Sequence, residues 1–385
     1  MMAAWREERM PGMNQPAVDR VRLLLRSQRL DAALLSSPAT LTWLTGYAAP
    51  IQAGPSPFEA GPALCWISSD AVHLLVSNLE SGAATASGAQ VHEYLGYTID
   101  EPLANVAHMA AAMASMLRPH AGRRARVGVE LDGLAAPLLT AFSAALPRAT
   151  LQAMDGAFDG LRAVKSAEEL EKIRAAVRAC DAAQAYVHSH ARAGLSEIEL
   201  WGGLKADLEA SLGTRLPVLV DLVGGKRTAE IGGPPGAYVL QEGDPLMLDI
   251  VPRVDGYWGD NADTHSIGTR PPELARIHAV VQDALRRGID AVRPGRKARE
   301  LDEVMRSAIR AQGYAAYPHH SGHGLGASYH EEPRIVPYNT RTLEPGMVIA
   351  LEPGIYLPDV GGVRLEHVVV VTRDGCDVLT THLSV

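Results

Sequence analysis

The stretch LMLDIVPRVDGYWGD, residues 246–260, decides how this chain is read. Apolar residues run from Leu246 to Val251, and Asp249 interrupts them. An ionised carboxylate in such a strand costs several kcal/mol unless it is paired or holds a metal. Val254-Asp255-Gly256 is a turn signal between two strand-like runs. Asp260 lies just beyond it, so a hairpin can bring the two carboxylates together on neighbouring strands.

The figure recurs near the C-terminus. Glu352 closes the apolar strand MVIAL within GMVIALEPGIYLP, and Glu366 interrupts VRLEHVVVV, with Gly361-Gly362 between them. Again two acids can meet across a hairpin. Between the two hairpins lies HHSGHGLGASYHEEP (319–333), with His319, His320, His323 and His330. Its glycines let the backbone approach whatever His323 faces. Four buried acids repel one another, and two divalent cations would offset their charge. Carboxylates with one imidazole suit Mn²⁺, and also Co²⁺, Fe²⁺ or Zn²⁺. Two such ions roughly 3.5 Å apart share a bridging water and lower its pKa, which makes a hydroxide nucleophile at neutral pH.

Outward from this centre the chain divides. From residue 217 on it is rich in strands, beginning with LPVLVDLVGG (216–225), and helices intervene at 272–293 and 299–312. Ser166 with Glu169 three residues on is a capping box. It opens a long amphipathic helix that Gly194 is expected to end, and Ser196 caps a second helix. His188 and His190 have no acidic partner nearby and are read as structural or solvent-facing. Before residue 155, helices at 17–29 and 103–118 alternate with strand-like runs at 31–37, 62–68, 72–77 and 125–131. That alternation suggests a sheet covered by helices. The Gly/Pro-rich stretch 46–62 is expected to be a long loop. The expected fold class is α+β, with a smaller α/β domain at 1–157 and a strand-rich domain at 158–385.

Composition narrows the function. A hydrophobic share of 47% against 21% charged residues excludes a disordered chain. The net charge of −8 gives no reason to hold nucleic acid or an anionic membrane surface. No apolar run approaches the roughly 18 residues of a membrane helix. Three widely spaced cysteines form neither a disulfide framework nor a cysteine-based zinc site. The start, MMAAWREERMPG, is charged where a signal peptide needs an apolar core, so a cytoplasmic location is expected. GGKRT (224–228) lacks the upstream glycine and the Ser/Thr of a phosphate loop, and HEEPR (330–334) has Arg where a zincin needs its second His.

Taken together, Asp249, Asp260, His323 in GHGLG, Glu352 in LEPGIY and Glu366 in VRLEH resemble the pita-bread metallopeptidases. These include methionine aminopeptidase, aminopeptidase P and prolidase. The resemblance covers about 160 to 385. Residues 36–47 (SSPATLTWLTGY) and 161–170 (LRAVKSAEEL) are similar to the creatinase/prolidase N-terminal domain. Methionine aminopeptidases lack that domain, so the resemblance favours the Xaa-Pro dipeptidase and aminopeptidase P branch. It implies that the five residues hold two divalent ions, probed first as Mn²⁺, with Asp260 and Glu366 spanning both. It implies that His330 contacts the substrate and the tetrahedral intermediate. Glu352 would also relay the proton to the leaving amine. Arg364 would support the ligands or contact the substrate, and Tyr356 is read as packing. The implied partners are a short peptide or small-molecule substrate and a second copy of the chain, with loop 46–62 bordering the partner's active site.

The chain departs from the pattern at two places. The peptidases usually carry a further histidine some 17–18 residues before the first ligand Asp, where this chain has Ile231 and Gly232. Asp263 stands where that branch often has Arg, and an acid there could support the ligands or meet a cationic substrate group. The leading expectation is a dinuclear-metal Xaa-Pro peptidase that hydrolyses the bond before proline. The alternative is a C–N hydrolase of a small non-peptide compound, similar to creatinase or ectoine hydrolase. A non-enzymatic binding protein is the third reading, disfavoured because all five ligand residues are present.

Overall fold

The computed structural model describes residues 12–50 and 62–382, which fall into two compact units, Met1–Leu161 and Arg162–Val385. All but Gly46–Pro50 and Pro62 of the 46–62 stretch lies outside the described residues.

In the first unit, Asn14 caps helix α1 (Gln15–Ser27) by accepting from the Ala17 N–H. The strands are β1 (Ala32–Leu35), β2 (Leu64–Ser68), β3 (Val72–Ser77), β4 (Gln90–Tyr94), β5 (Ala125–Val129) and β6 (Ala149–Ala153). They form one sheet in the order β4-β3-β2-β1-β5-β6. The β1–β2 and β2–β3 pairs are antiparallel and the other three parallel. Helices α2 (Pro38–Thr45), α3 (Ser81–Thr85), α4 (Asn105–Leu117) and α5 (Ala136–Ala145) complete this part, and the short α6 (Asp159–Ala163) runs across the boundary at Leu161. Met113 and Leu117 of α4 and Phe142 of α5 pack on Leu34, Trp66 and Val127 of the sheet, the helix-covered arrangement that the alternating pattern implies.

The second unit repeats one plan twice: a helix pair, then strands. Helices α7 (Ala167–His190) and α8 (Glu197–Leu212) both open on complete capping boxes, Ser166 with Glu169 and Ser196 with Glu199. Helix α7 stops at His190 rather than at Gly194, because Ala191 already turns extended; Gly194, at φ +88°, makes the turn that follows. His188 and His190 are exposed. Strands β7 (Val218–Gly224), β8 (Pro245–Val254), β9 (Tyr257–Trp258) and β10 (Asn261–Ser266) make a sheet in which β8 pairs with the other three. Leu200, Leu204 and Val187 pack on Leu222, Leu248 and Ile250.

Helices α9 (Pro272–Ala291) and α10 (Ala298–Ala311) then cover strands β11 (Gly322–Gly324), β12 (Glu331–Ile335), β13 (Val348–Leu351), β16 (His367–Val371) and β17 (Cys376–Val378), with Val281, Leu301 and Met305 against Ile335, Ile349 and Val369. These five strands form one sheet, and β14 (Gly354–Leu357) pairs with β15 (Gly361–Arg364) as a separate hairpin. VRLEHVVVV is therefore two strands of two sheets, not the single strand its apolar run suggests. The chain breaks at Leu365-Glu366 because the Glu366 N–H leaves the ladder for the Ala262 carbonyl, 2.9 Å away.

Gly259 shows how tightly the site strands are seated. It lies between β9 and β10, and a Cβ there would lie 2.5 Å from the Ala176 carbonyl carbon on α7 and 2.8 Å from Cys180 Sγ. Backbone cannot yield cheaply. Gly259→Ala is expected to cost about 2–3 kcal/mol by overpacking and to displace Asp260 next to it. A thermal melt checks the first effect and divalent-ion titration the second.

Candidate metal centre

Strand register gathers the five acid and histidine positions. Asp249 on β8 faces Ala262 on β10. Asp260 precedes β10 by one residue, and continuing that register sets it diagonally across from Asp249 on the same face. In the C-terminal half, Leu351 faces His367 in one ladder and Gly354 faces Arg364 in the other. The two ladders share one register, so Glu352 and Glu366 stand opposite each other in the gap between them. There the Glu352 N–H turns to the Ser321 carbonyl at 3.0 Å, beside the His323 strand. Three strand groups are thereby tied together at the residues that carry the acids.

The side chains converge. Asp260, His323 and Glu366 each place a donor atom within 4.8 Å of the others. His323 Nε2 lies 3.4 Å from Asp260 Oδ2 and 3.7 Å from Glu352 Oε1. Its Nδ1 meets the Gly324 carbonyl at 2.9 Å, which fixes the tautomer and aims Nε2 into the centre. Gly322 makes this approach possible: at φ +153° a Cβ would lie 2.0 Å from the Ala350 carbonyl oxygen. Asp260, His323 and Glu366 are almost wholly buried, at 3%, 2% and 1% exposure.

Among the side chains alone, these charges cannot coexist comfortably. Burial, followed by the neighbouring carboxylates, pushes Glu366 well above the usual carboxylate range. Burial also raises Asp260, although His323 opposes it. Asp249 is pushed up to about 7 by burial, against the pull of Arg364. Glu352 goes the other way: burial raises it, but a hydrogen bond from His320 and the nearby imidazoles hold it at about 2. Burial lowers His323, yet bonding to Asp260 and the surrounding acids lift it to about 9.

The donors fit divalent cations. Asp260 Oδ1 and Glu366 Oε1 are buried with no hydrogen-bond partner among the described residues, a costly state for a carboxylate oxygen. Oxygens joined by one imidazole nitrogen are the donor set of hard and borderline ions. Asp249 binds its proton more tightly folded than unfolded, so folding is favoured at low pH and loses that contribution between about pH 4 and pH 7. The raised His323 loses its contribution at higher pH, between 6.5 and about 9, while the depressed Glu352 matters only in acid. Between about pH 7 and 9 chelator-treated protein should therefore melt progressively lower as the pH rises, and added Mn²⁺ should flatten the trend; below pH 6.5 the histidines that burial keeps neutral, His278, His319, His330 and His367, act in the opposite direction. A melting temperature independent of pH in chelator would contradict this.

Several neighbours hold the centre in place. Arg364 donates to Asp249 Oδ2 at 2.6 Å, to the Tyr356 hydroxyl at 3.0 Å and to the Ile231 carbonyl at 2.7 Å. Its guanidinium thus has three protein partners, one of them the carboxylate of Asp249. Tyr356 does more than pack, since its hydroxyl also meets His319 Nε2 at 2.8 Å. His320 lies 2.8 Å from Glu352 Oε1; the sequence shows the HH pair but not which ring turns towards Glu352. His330 is exposed at the mouth, with its ring 4.2 Å from that of His323. The partial shielding of its ring and the imidazoles of His323 and His320 hold it down at about 3, so it is neutral at pH 7. Asp263 does not join the centre. It pairs with Leu248, on the opposite face from Asp249 and Ala262, and lies 4.0 Å from His265. Asp221 on β7, by contrast, stands directly opposite Asp249. The signal that marks Asp249, an acid within an apolar run, is present in VLVDLV as well.

Two helix-covered strand groups around a buried carboxylate–imidazole centre define a metal-dependent hydrolase of the pita-bread class. The pattern described as "Metallopeptidase family M24" matches residues 171–373, and the chain belongs to that family. Residues 18–164 match the "Creatinase/Prolidase N-terminal domain". The chain is 29% identical over 375 residues to the "Xaa-Pro dipeptidase" of Lactobacillus helveticus, covering 94% of this chain and 96% of that protein. It is 27% identical over 366 residues to the "Uncharacterized peptidase YqhT" of Bacillus subtilis, covering 94% and 97%. Among solved structures, the "Xaa-Pro dipeptidase from Bacillus anthracis" superposes with a TM-score of 0.82 at 25% identity, covering 96% of this chain and 98% of that one. Membership of this metallopeptidase family implies divalent metal ions. No helix among the described residues is long and apolar enough to cross a membrane.

Proposed function

We propose that this protein is a dinuclear-metal Xaa-Pro peptidase that hydrolyses the bond before proline in a dipeptide or at the start of a short peptide. The observation that carries the reading is the convergence of Asp260, His323 and Glu366, with two orphaned carboxylate oxygens, beside Asp249 and Glu352. The Xaa-Pro dipeptidases to which the chain is similar support the substrate class.

Asp249, Asp260, His323, Glu352 and Glu366 would hold two divalent ions, with Mn²⁺ the first to test. Bound there, such ions acidify water and polarise a carbonyl at neutral pH. Glu352, kept ionised by His320, takes a proton from the attacking water and delivers it to the leaving proline nitrogen. His330, neutral at pH 7, offers an N–H to the oxygen on which negative charge develops. His323 orients the centre through its fixed tautomer. A cytoplasmic homodimer is the matching assembly.

The test is a panel of Xaa-Pro peptides with Mn²⁺- or Co²⁺-reconstituted protein. Proline released from at least one dipeptide, or the first residue released from a longer peptide, is the expected result. A second reading, C–N hydrolysis of a small non-peptide compound, is favoured by one feature: the chain has Gly232, against Asp221, about where the resemblance to the peptidases implies a histidine. A reconstituted protein inert on the whole panel would overturn the first reading.

A further inference from the structure

We infer that Asp221 is a specificity-determining residue whose carboxylate receives an ammonium or guanidinium group on the residue that precedes the cleaved bond. The inference rests on the peptidase reading above.

Asp221 and Asp249 are directly opposed on β7 and β8, and opposed side chains share one face of a sheet. Asp221 therefore points to the side on which the candidate ligands gather. Like charges placed this way destabilise a strand pair. Asp249 is compensated by Arg364, 2.6 Å away. Asp221 is half-buried, and its carboxylate has neither hydrogen bond nor ion pair among the described residues. Its charge also helps to raise the neighbouring Asp249. The fold thus keeps an uncompensated anion at the edge of the centre, where a neutral residue would cost less.

The second observation is Gly232. A Cβ there would lie 2.0 Å from Asp221 Oδ2 and 2.7 Å from its Cγ. The carboxylate occupies the volume that a side chain at position 232 would need. The acid at 221 and the glycine at 232 fit each other and together set the shape and charge of this side of the centre. The loop is held at this distance by two bonds: Leu222 N–H to the Gly233 carbonyl at 3.0 Å, and Arg364 to the Ile231 carbonyl.

An ionised carboxylate only accepts, and next to a second acid its favoured partner is a cation. On an Xaa-Pro substrate the proline side offers none, because its nitrogen is acylated and its free end, in a dipeptide, is anionic. The cationic groups lie on the preceding residue: its α-ammonium, and its side chain if that is Lys or Arg.

The experiment compares Mn²⁺-reconstituted wild type with Asp221→Asn by calorimetry, using L-lysine, L-norleucine and Nα-acetyl-L-norleucine. The variant is expected to weaken lysine at least about tenfold, the loss of one charge-assisted contact. If the side-chain ammonium is read, norleucine is unaffected; if the α-ammonium is read, lysine and norleucine weaken together while the acetylated probe does not change. Hydrolysis should follow: KM for Lys-Pro or Leu-Pro rises accordingly with little change in kcat. Removal of the uncompensated charge should also leave the variant at least as thermally stable as the wild type. Unchanged lysine affinity in Asp221→Asn, or equal weakening of all three probes, overturns the inference. Lysine selectivity that depends on Asp221 in a protein that cleaves no Xaa-Pro peptide upholds the carboxylate's role and overturns the peptidase reading instead.

Discussion

Glu366→Gln is expected to reduce hydrolysis by about a thousandfold or more, with the fold intact. Glu366 is 1% exposed, and its Oε1 has no hydrogen-bond partner among the described residues. Its backbone is tied to Ala262 on the strand beside Asp249, so the amide variant keeps its place. On the proposed ligand set, what the variant loses is one anionic oxygen beside Asp260 and His323. Several kcal/mol of transition-state stabilisation depend on a properly held divalent ion, and each tenfold in rate corresponds to about 1.4 kcal/mol. The control is built into the electrostatics. Burial and the neighbouring acids raise Glu366 well above its usual range, so in chelator the variant should melt no lower than the wild type at pH 7, because the amide neither repels the acids nor has to take up a proton on folding. With Mn²⁺ the order should reverse, because a ligand that binds only the folded state stabilises it by mass action. A variant that melts early in chelator as well would show Glu366 to be structural, and one that keeps full activity would remove it from the site.

Arg364→Met is expected to cost about 3–5 kcal/mol, the usual penalty for removing one partner of a buried ion pair. Arg364 is 6% exposed and donates to Asp249, Tyr356 and the Ile231 carbonyl. Without it, Asp249 faces Asp221, Asp260 and Glu352 with no adjacent cation, and burial drives it further towards the protonated form. The double variant Arg364→Met/Asp249→Asn should recover much of the lost stability, since the amide carries no charge to strand. Hydrolysis should fall by about 10–100-fold in the single variant, the usual effect of losing a group that orients a ligand. Additive losses in the cycle would show that the two side chains act independently.

How far the sequence reached depends on the range of the interaction concerned. The box of Ser166 with Glu169 and the cap at Ser196 were legible because a helix cap is complete within four residues; Glu199 as the second half of the Ser196 box came from the structure. The two helix pairs and the acids inside apolar runs were legible for the same reason. The break at Leu365-Glu366 was not, because an apolar run looks alike whether one sheet or two receive it. The roles of Tyr356 and His320 were missed, since each depends on a contact more than thirty residues away, with His319 and with Glu352. Asp263 looked eligible by position; strand alternation puts it on the far face.

By itself, then, the sequence determined where helices start, which strands are apolar and which acids interrupt them. These follow from local hydrogen bonding and from the cost of burying charge, and both act between near neighbours in the chain. Only the tertiary structure decided which acids share a face, that Arg364 belongs to Asp249, and that Asp221 fills the space beside Gly232. Those outcomes are set by strand register across long loops, where a shift of one residue turns every side chain to the other face.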